Sequence, residues 1–302
     1  MIDVILLTGF LGSGKTTCLN QLLLKLARQY DRVAVVMNEF GSIGIDGRLV
    51  DQGAVLVELQ NGSIFCVCIR DNFLAAMANL AQESQPEVVV IEATGVADPF
   101  EMGDFVAYPG LQDIYRLDRI VTLVDAVNFP KVIQTLRAAR AQAQAADVFI
   151  ITKTDLLDPE AMPRLENLLK DINPTALRVT APFCRLTDTE WDTVLGSAAD
   201  RRGDRQPDRG VPARDPMVSI TVAAGPFADS QTAEKVITSG LPPNALRAKG
   251  FVDIGGKLHL FQHTIGRTEI MEAELAGSAA KADAIGQLVI IGLNLQPSQI
   301  ML

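Results

Sequence analysis

Four cysteines, two histidines, one tryptophan and three tyrosines are few for 302 residues, and each shortage narrows what the chain does. Cys18, Cys66, Cys68 and Cys184 do not make a disulfide framework at this length, so reduced thiols and a cytoplasmic setting are expected. His259 and His263 alone make no metal-storage tract. No apolar run approaches the ~18 residues that cross a bilayer. The N-terminal stretch Met1-Ile2-Asp3-Val4-Ile5-Leu6-Leu7 has no basic segment and no small-residue cleavage site, and reads as a buried strand. Positive charge is also short: 27 Lys and Arg stand against 36 Asp and Glu, a formal charge of −9. A surface of that sign repels phosphate backbones and anionic lipid, so neither nucleic acid nor membrane is an expected partner. A phosphate site must be local and made by geometry.

What is present is a hydrophobic fraction of 48% and a length of roughly two domains. Up to about residue 185, short apolar runs alternate with helical stretches. Strands are expected at Val4–Thr8, Val33–Met37, Val55–Glu58, Val88–Glu92, Ile120–Asp125, Val148–Thr152 and Leu177–Thr180. Most are unbroken Val/Ile/Leu runs, the pattern of parallel strands covered on both faces. Helices are expected at Lys15–Gln29, Asp71–Ser84, Pro99–Val106, Phe129–Ala145 and Pro159–Ile172. Arg201–Pro216, with five arginines, three aspartates and three prolines, has no apolar periodicity and reads as a linker. Beyond it, strands at Met217–Ala223, Phe251–Ile254, Leu258–Gln262, Ile270–Glu274 and Leu288–Gly292 and a helix at Ser230–Ser239 suggest a small antiparallel α+β domain. The expected organisation is an α/β nucleotide-binding domain over 1–200, a linker over 201–216 and the α+β domain over 217–302.

The strongest chemical signal is Gly9-Phe10-Leu11-Gly12-Ser13-Gly14-Lys15-Thr16, a P-loop between a strand and a helix. Its glycines let the backbone wrap until N–H groups point inward at phosphate oxygens. Gly12, Ser13, Gly14, Lys15, Thr16 and Thr17 would hold the phosphates, Lys15 by charge and the helix by its positive end. The Thr16 hydroxyl would coordinate Mg²⁺. Val88–Glu92 ends in a carboxylate that suits Mg²⁺ or its water, and Gly95 follows with an N–H able to sense a γ-phosphate. Thr152-Lys153-Thr154-Asp155 ends another apolar run. There the Lys153 stem suits a purine face, and the Asp155 carboxylate accepts from the guanine N1–H and amine, a donor pair adenine lacks.

Together these segments resemble the CobW-type GTPases, relatives of the nickel chaperones HypB and UreG among the P-loop NTPases. The resemblance also runs through Asn38-Glu39-Phe40-Gly41 with Gly44-Ile45-Asp46, Glu58-Leu59-Gln60-Asn61-Gly62, Glu92–Pro99 and Val124-Asp125-Ala126. It is weaker in the tail, at Lys249-Gly250-Phe251 and Leu288–Gly292. It implies a P-loop domain with a mainly parallel sheet plus a small C-terminal α+β domain. It implies too that Asn38–Asp46 is a switch loop, with Glu39 serving catalysis and Asp46 a further Mg²⁺ ligand. An ordinary acidic surface loop is the alternative.

The chain departs from the family at its metal motif. Where the family has C-x-C-C after Asn-Gly, this chain has Ser63, Ile64, Phe65 and Cys66, with Cys68 two residues on. Were the segment extended, Cys66 and Cys68 would point to one side and grip a soft ion such as Zn²⁺, Co²⁺ or Ni²⁺, with Glu39 or Glu58 completing the shell. Inert buried thiols are the other reading. His259 and His263, four apart on an expected strand, are too distant for one ion, and Cys18 belongs to the core. The expected function is slow GTP hydrolysis by Lys15, Glu92 and Glu39, coupled to metal or metallocofactor delivery to a client protein. A nucleotide-dependent dimer is compatible with it. A metal-free switch that activates a partner enzyme is the second reading.

Overall fold

The computed structural model describes residues 1–37, 55–58, 67–95, 99, 104–196, 217–265, 267–273 and 285–302. The chain divides into two compact units, Met1–Ala213 and Arg214–Leu302.

In the first unit the apolar runs become β1 (Ile2–Gly9), β2 (Val33–Met37), β3 (Val55–Glu58), β4 (Val88–Glu92), β5 (Tyr115–Asp125), β6 (Val148–Thr152) and β7 (Leu177–Thr180). They form one parallel sheet in the order β3-β2-β4-β1-β5-β6-β7, with β1 at its centre. The helices are α1 (Lys15–Leu26), α2 (Val67–Glu83), α3 (Phe129–Thr135), α4 (Arg137–Ala145), α5 (Met162–Ile172) and α6 (Asp188–Leu195). Alternate residues of β1 feed two cores. Ile5 and Leu7 pack with Leu19, Leu22 and Leu23 of α1 and with Trp191 of α6. Val4 and Leu6 pack on the opposite face with Phe73, Met77 and Leu80 of α2. Burial on both faces is why the strand sequences run apolar without alternation.

Three expectations change. The single helix at Phe129–Ala145 is two, broken at Leu136, whose backbone is extended (φ −115°, ψ 119°). The break turns Leu136 into the core and lets the alanines of α4 pack closely against the sheet. β5 begins at Tyr115 rather than Ile120. Its polar start is stabilised by the Arg116–Asp3 ion pair and by the buried Tyr115 hydroxyl, which donates to the Met77 carbonyl at 2.8 Å. The described tail of the stretch expected as helix Pro99–Val106 is a 3₁₀ turn, Asp104–Ala107.

The second unit is an antiparallel sheet of β8 (Met217–Ala223), β9 (Ala245–Ile254), β10 (Lys257–Thr264), β11 (Arg267–Glu272) and β12 (Gln287–Leu293), ordered β11-β10-β9-β12-β8. One face buries Ala248, Val252, Phe261, Leu288 and Ile290 with Ala233 and Ile237 of α7 (Ser230–Gly240). His259 and His263 lie on β10 on that same face, register partners of Val252 and Ala248. Burial lowers the pKa of His263, against the opposing pull of Glu234, and Nδ1 shares a 2.9 Å hydrogen bond with the Thr268 hydroxyl. It is a structural histidine. No helix among the described residues is long and apolar enough to cross a membrane.

Candidate functional site

In a parallel sheet with helical crossovers all the strand C-termini open on one edge, and ligands bind in the crevice there. β1 reaches that edge at Gly9 and the chain turns into α1 through the P-loop. Gly9, Gly12 and Gly14 take φ of 138°, 76° and 96°, a region in which side-chain-bearing residues are strained. A Cβ on Gly9 would lie 2.6 Å from the Leu123 carbonyl oxygen. The loop therefore requires glycine there twice over, for conformation and for space.

Inside the loop Lys15 is buried, and its Nζ donates to the Gly9 carbonyl at 2.9 Å and the Phe10 carbonyl at 3.4 Å. The Thr16 hydroxyl donates to Oε1 of buried Glu92 at 3.2 Å, across 76 residues of sequence. The Ser13 and Thr94 hydroxyl oxygens are buried without a hydrogen-bond partner. A cation, a carboxylate and hydroxyls thus converge where a phosphate and its metal would lie. The oxygen donors are hard and fit Mg²⁺. Gly95 abuts the loop: a Cβ on it would lie 2.6 Å from the Leu11 nitrogen. Its carbonyl accepts from Nε2 of buried Gln142 on α4 at 3.3 Å.

β6 delivers Lys153 and Asp155 to the same edge. Lys153 is left-handed (φ 58°) and Asp155 sits in the exposed 3₁₀ turn Thr154–Leu156. The Lys153 ammonium pairs with Asp125 Oδ2 at 2.6 Å. Asp125 ends β5, and its other oxygen accepts from the Val127 and Asn128 N–H groups, both at 3.0 Å. Thr152 donates to the Ser13 carbonyl at 2.9 Å, tying β6 to the P-loop. Cys184, in the turn after β7, donates to the Gly14 carbonyl at 3.7 Å. Its hydrogen bond with Cys18, then burial, raises the Cys18 thiol well above its ordinary pKa. Cys18 stays protonated in the core.

Sequence reasoning read Asp125 only as part of a family motif and gave Thr152, Gln142 and Cys184 no role at the site. A buried carboxylate at a strand end was the visible hint of the first. Glu39, Asp46 and Cys66 lie outside the described residues. Cys68 is in the first turn of α2, which begins at Val67. The extended geometry expected there is corrected at Cys68, whose backbone is helical. Among the described residues no group of three or more His, Cys, Asp or Glu is arranged to hold a metal ion.

The family described as CobW/HypB/UreG, nucleotide-binding domain, matches residues 3–180, and the cobalamin synthesis protein CobW C-terminal domain matches 217–301. A protein named zinc chaperone YjiA from Escherichia coli (strain K12) is 38% identical over 162 residues, 51% of this chain and 50% of that protein. The chain thus spans about half the length of that relative. A zinc chaperone named CobW from a Sinorhizobium species is 26% identical over 335 residues, covering 97% of this chain and 93% of its own. The crystal structure of Zn(II)-bound YjiA GTPase from E. coli superposes with a TM-score of 0.50 at 27% identity, covering 99% and 96% of the two chains.

Replacing Asp125 with alanine would leave the Lys153 ammonium, four-fifths buried, without its partner. We expect Asp125→Ala to cost about 3 kcal/mol of stability, as for other broken buried pairs. Urea unfolding followed by Trp191, the sole tryptophan and a residue of the same unit, reads it. An unchanged midpoint would mean that the ion pair does not hold the β5 and β6 ends together.

Proposed function

We propose that this chain, which belongs to the CobW/HypB/UreG family, binds and hydrolyses GTP and couples that cycle to delivery of a metal ion to a client protein. The observation that carries the reading is the Thr16–Glu92 contact beside the folded Lys15. On phosphate binding, Lys15 exchanges the Gly9 and Phe10 carbonyls for phosphate oxygens. The N–H groups of Gly12 through Thr17 hold the α- and β-phosphates. Thr16 and Glu92 would hold Mg²⁺, with Asp46 as a further ligand; when bound, the ion neutralises charge developing on the phosphoryl oxygens. Glu92 and Glu39 orient the attacking water, and Gly95 senses the γ-phosphate. Asp155 selects guanine, while Asp125 keeps the Lys153 stem extended along the purine.

The two relatives described above are named zinc chaperones, so Zn²⁺ is the favoured cargo, with Co²⁺ and Ni²⁺ as competitors. Cys66 and Cys68 are the thiolate candidates. Two thiolates do not fill a coordination shell, so the site needs a further ligand, and Glu39 or Glu58 would supply it. The client is a metalloprotein or cofactor enzyme, and the GTP-bound state is the one suited to pairing with it.

Lys15→Ala removes a charged partner from a partly desolvated site and should weaken GTP by about 2 kcal/mol or more. Isothermal titration checks it, and equal affinity would refute the phosphate site. The parent chain should prefer GTP to ATP, and Asp155→Asn should relax discrimination against xanthosine triphosphate because an amide donates where the carboxylate accepts; competition titrations read both. Zn²⁺ titrated into the GDP form and a non-hydrolysable GTP form should bind with different affinities. Reciprocity then makes Zn²⁺ change nucleotide affinity by the same factor, typically about 1–3 kcal/mol. Binding should release protons and weaken as pH falls, since thiolates are the ligands. Cys66→Ser/Cys68→Ser is the control. Cysteine-independent binding would move the cargo site elsewhere, and no binding at all would favour the metal-free switch.

A further inference from the structure

Five residues other than glycine take a left-handed backbone among the described residues: Gln85, Lys153, Phe183, Cys184 and Asn294. Three of them gather at one place, the C-terminal ends of β6 and β7. Such conformations are strained, persist where the surroundings enforce them, and cluster at functional sites. Ile151 of β6 pairs with Thr180 of β7, and the Ala181 N–H donates to the Ile151 carbonyl. Lys153 follows β6 and the turn Pro182–Cys184 follows β7 on that same sheet edge. Phe183 is the middle residue of that turn. It is 63% exposed although it is aromatic, and its φ is 55°. The next residue, Cys184, is buried and hydrogen-bonded to the P-loop at Gly14, so the turn is anchored while the ring is presented outward. The Arg185 guanidinium sits 5.8 Å from the ring centroid, within cation–π range, and holds the ring from one side.

We propose that Phe183, braced by Arg185, is a stacking wall of the purine subsite, supplying affinity through the base face while Asp155 reads the base edge. The left-handed turn serves to bring an aromatic ring out at the sheet edge that also carries Lys153 and Asp155, where a ring folded into the core would be idle. Stacking on a π-face is indifferent to base identity, so Phe183 adds affinity and leaves the choice of guanine to Asp155. The inference rests on the nucleotide reading above and deepens it.

Isothermal titration of the full chain with GDP, ADP and inorganic triphosphate tests it. Phe183→Ala should bind GDP about tenfold or more weakly, bind triphosphate as the parent does, and keep the parent's ratio of GDP to ADP affinity. Phe183→Tyr should restore GDP binding, because an exposed ring tolerates the added hydroxyl. Circular dichroism melting of Phe183→Ala should match the parent, since the side chain is not part of the core. If Phe183→Ala binds GDP as tightly as the parent, the stacking wall is wrong while the nucleotide site stands. If it weakens GDP and triphosphate alike, Phe183 acts through Cys184 and the P-loop, and base stacking is again overturned. A parent chain that binds neither GDP nor triphosphate overturns the nucleotide reading and this inference with it.

Discussion

The turn that leaves β1 must point its amides inward, and that single constraint organises the first unit. A loop of this shape does not hold itself. Its glycines remove steric resistance but add conformational entropy that folding must overcome. Each neighbouring strand end therefore contributes one brace. Gly95, after β4, lies against Leu11. Leu123 of β5 closes over Gly9. Thr152 of β6 bonds the Ser13 carbonyl, and Cys184 after β7 bonds the carbonyl of Gly14. Four strands meet one loop because parallel strands bring every C-terminus to the same edge. An antiparallel sheet of equal size would bring half of them.

The braces also explain where buried polarity is tolerated. Thr8 and Thr122 share a hydrogen bond at 2.9 Å, and Thr122 reaches the Gln142 backbone carbonyl at 3.1 Å. The Gln142 side chain in turn reaches Gly95. All three are buried, where an unpaired polar group costs more than its net bond is worth. Satisfied in series, they fasten α4 to the loop that follows β4. Gly95 is thus held on both sides, by Leu11 and by Gln142.

Local pattern carried the architecture a long way. Unbroken apolar runs identified the parallel strands, and β2, β3, β4, β6 and β7 begin and end where those runs do. The P-loop was legible because its chemistry is contiguous. What was illegible is what spans distance or breaks pattern. Asp125 and Lys153 are 28 residues apart, Thr152 and Ser13 are 139, and Cys184 and Gly14 are 170. No periodicity encodes such pairs. The polar start of β5, with Arg116, Asp118 and Arg119, looks unlike a strand because its ion pairs replace apolar burial: Asp118 pairs with buried Arg119, which also reaches the Val194 and Gly196 carbonyls. The helix expected from Asp71 starts at Val67, and the chain is already helical through Cys68 and Ile69.

The start of α2 at Val67 bears on how the proposed cargo and nucleotide sites would communicate. Coupling between distant sites needs an element with few ways to move. α2 is such an element. Its Phe73 meets Phe105 edge-on at 5.1 Å, its Met77 carbonyl is held by Tyr115, and Leu80 packs in the same cluster as Val89 and Ile91 of β4. The next residue of β4 is Glu92, which touches Thr16. A metal held at the start of α2 would therefore act on a helix locked to the strand that carries Glu92. A loop in its place would absorb the displacement in its own backbone freedom. With Cys68 on α2, a metal bound there would pull on a helix seated in the core.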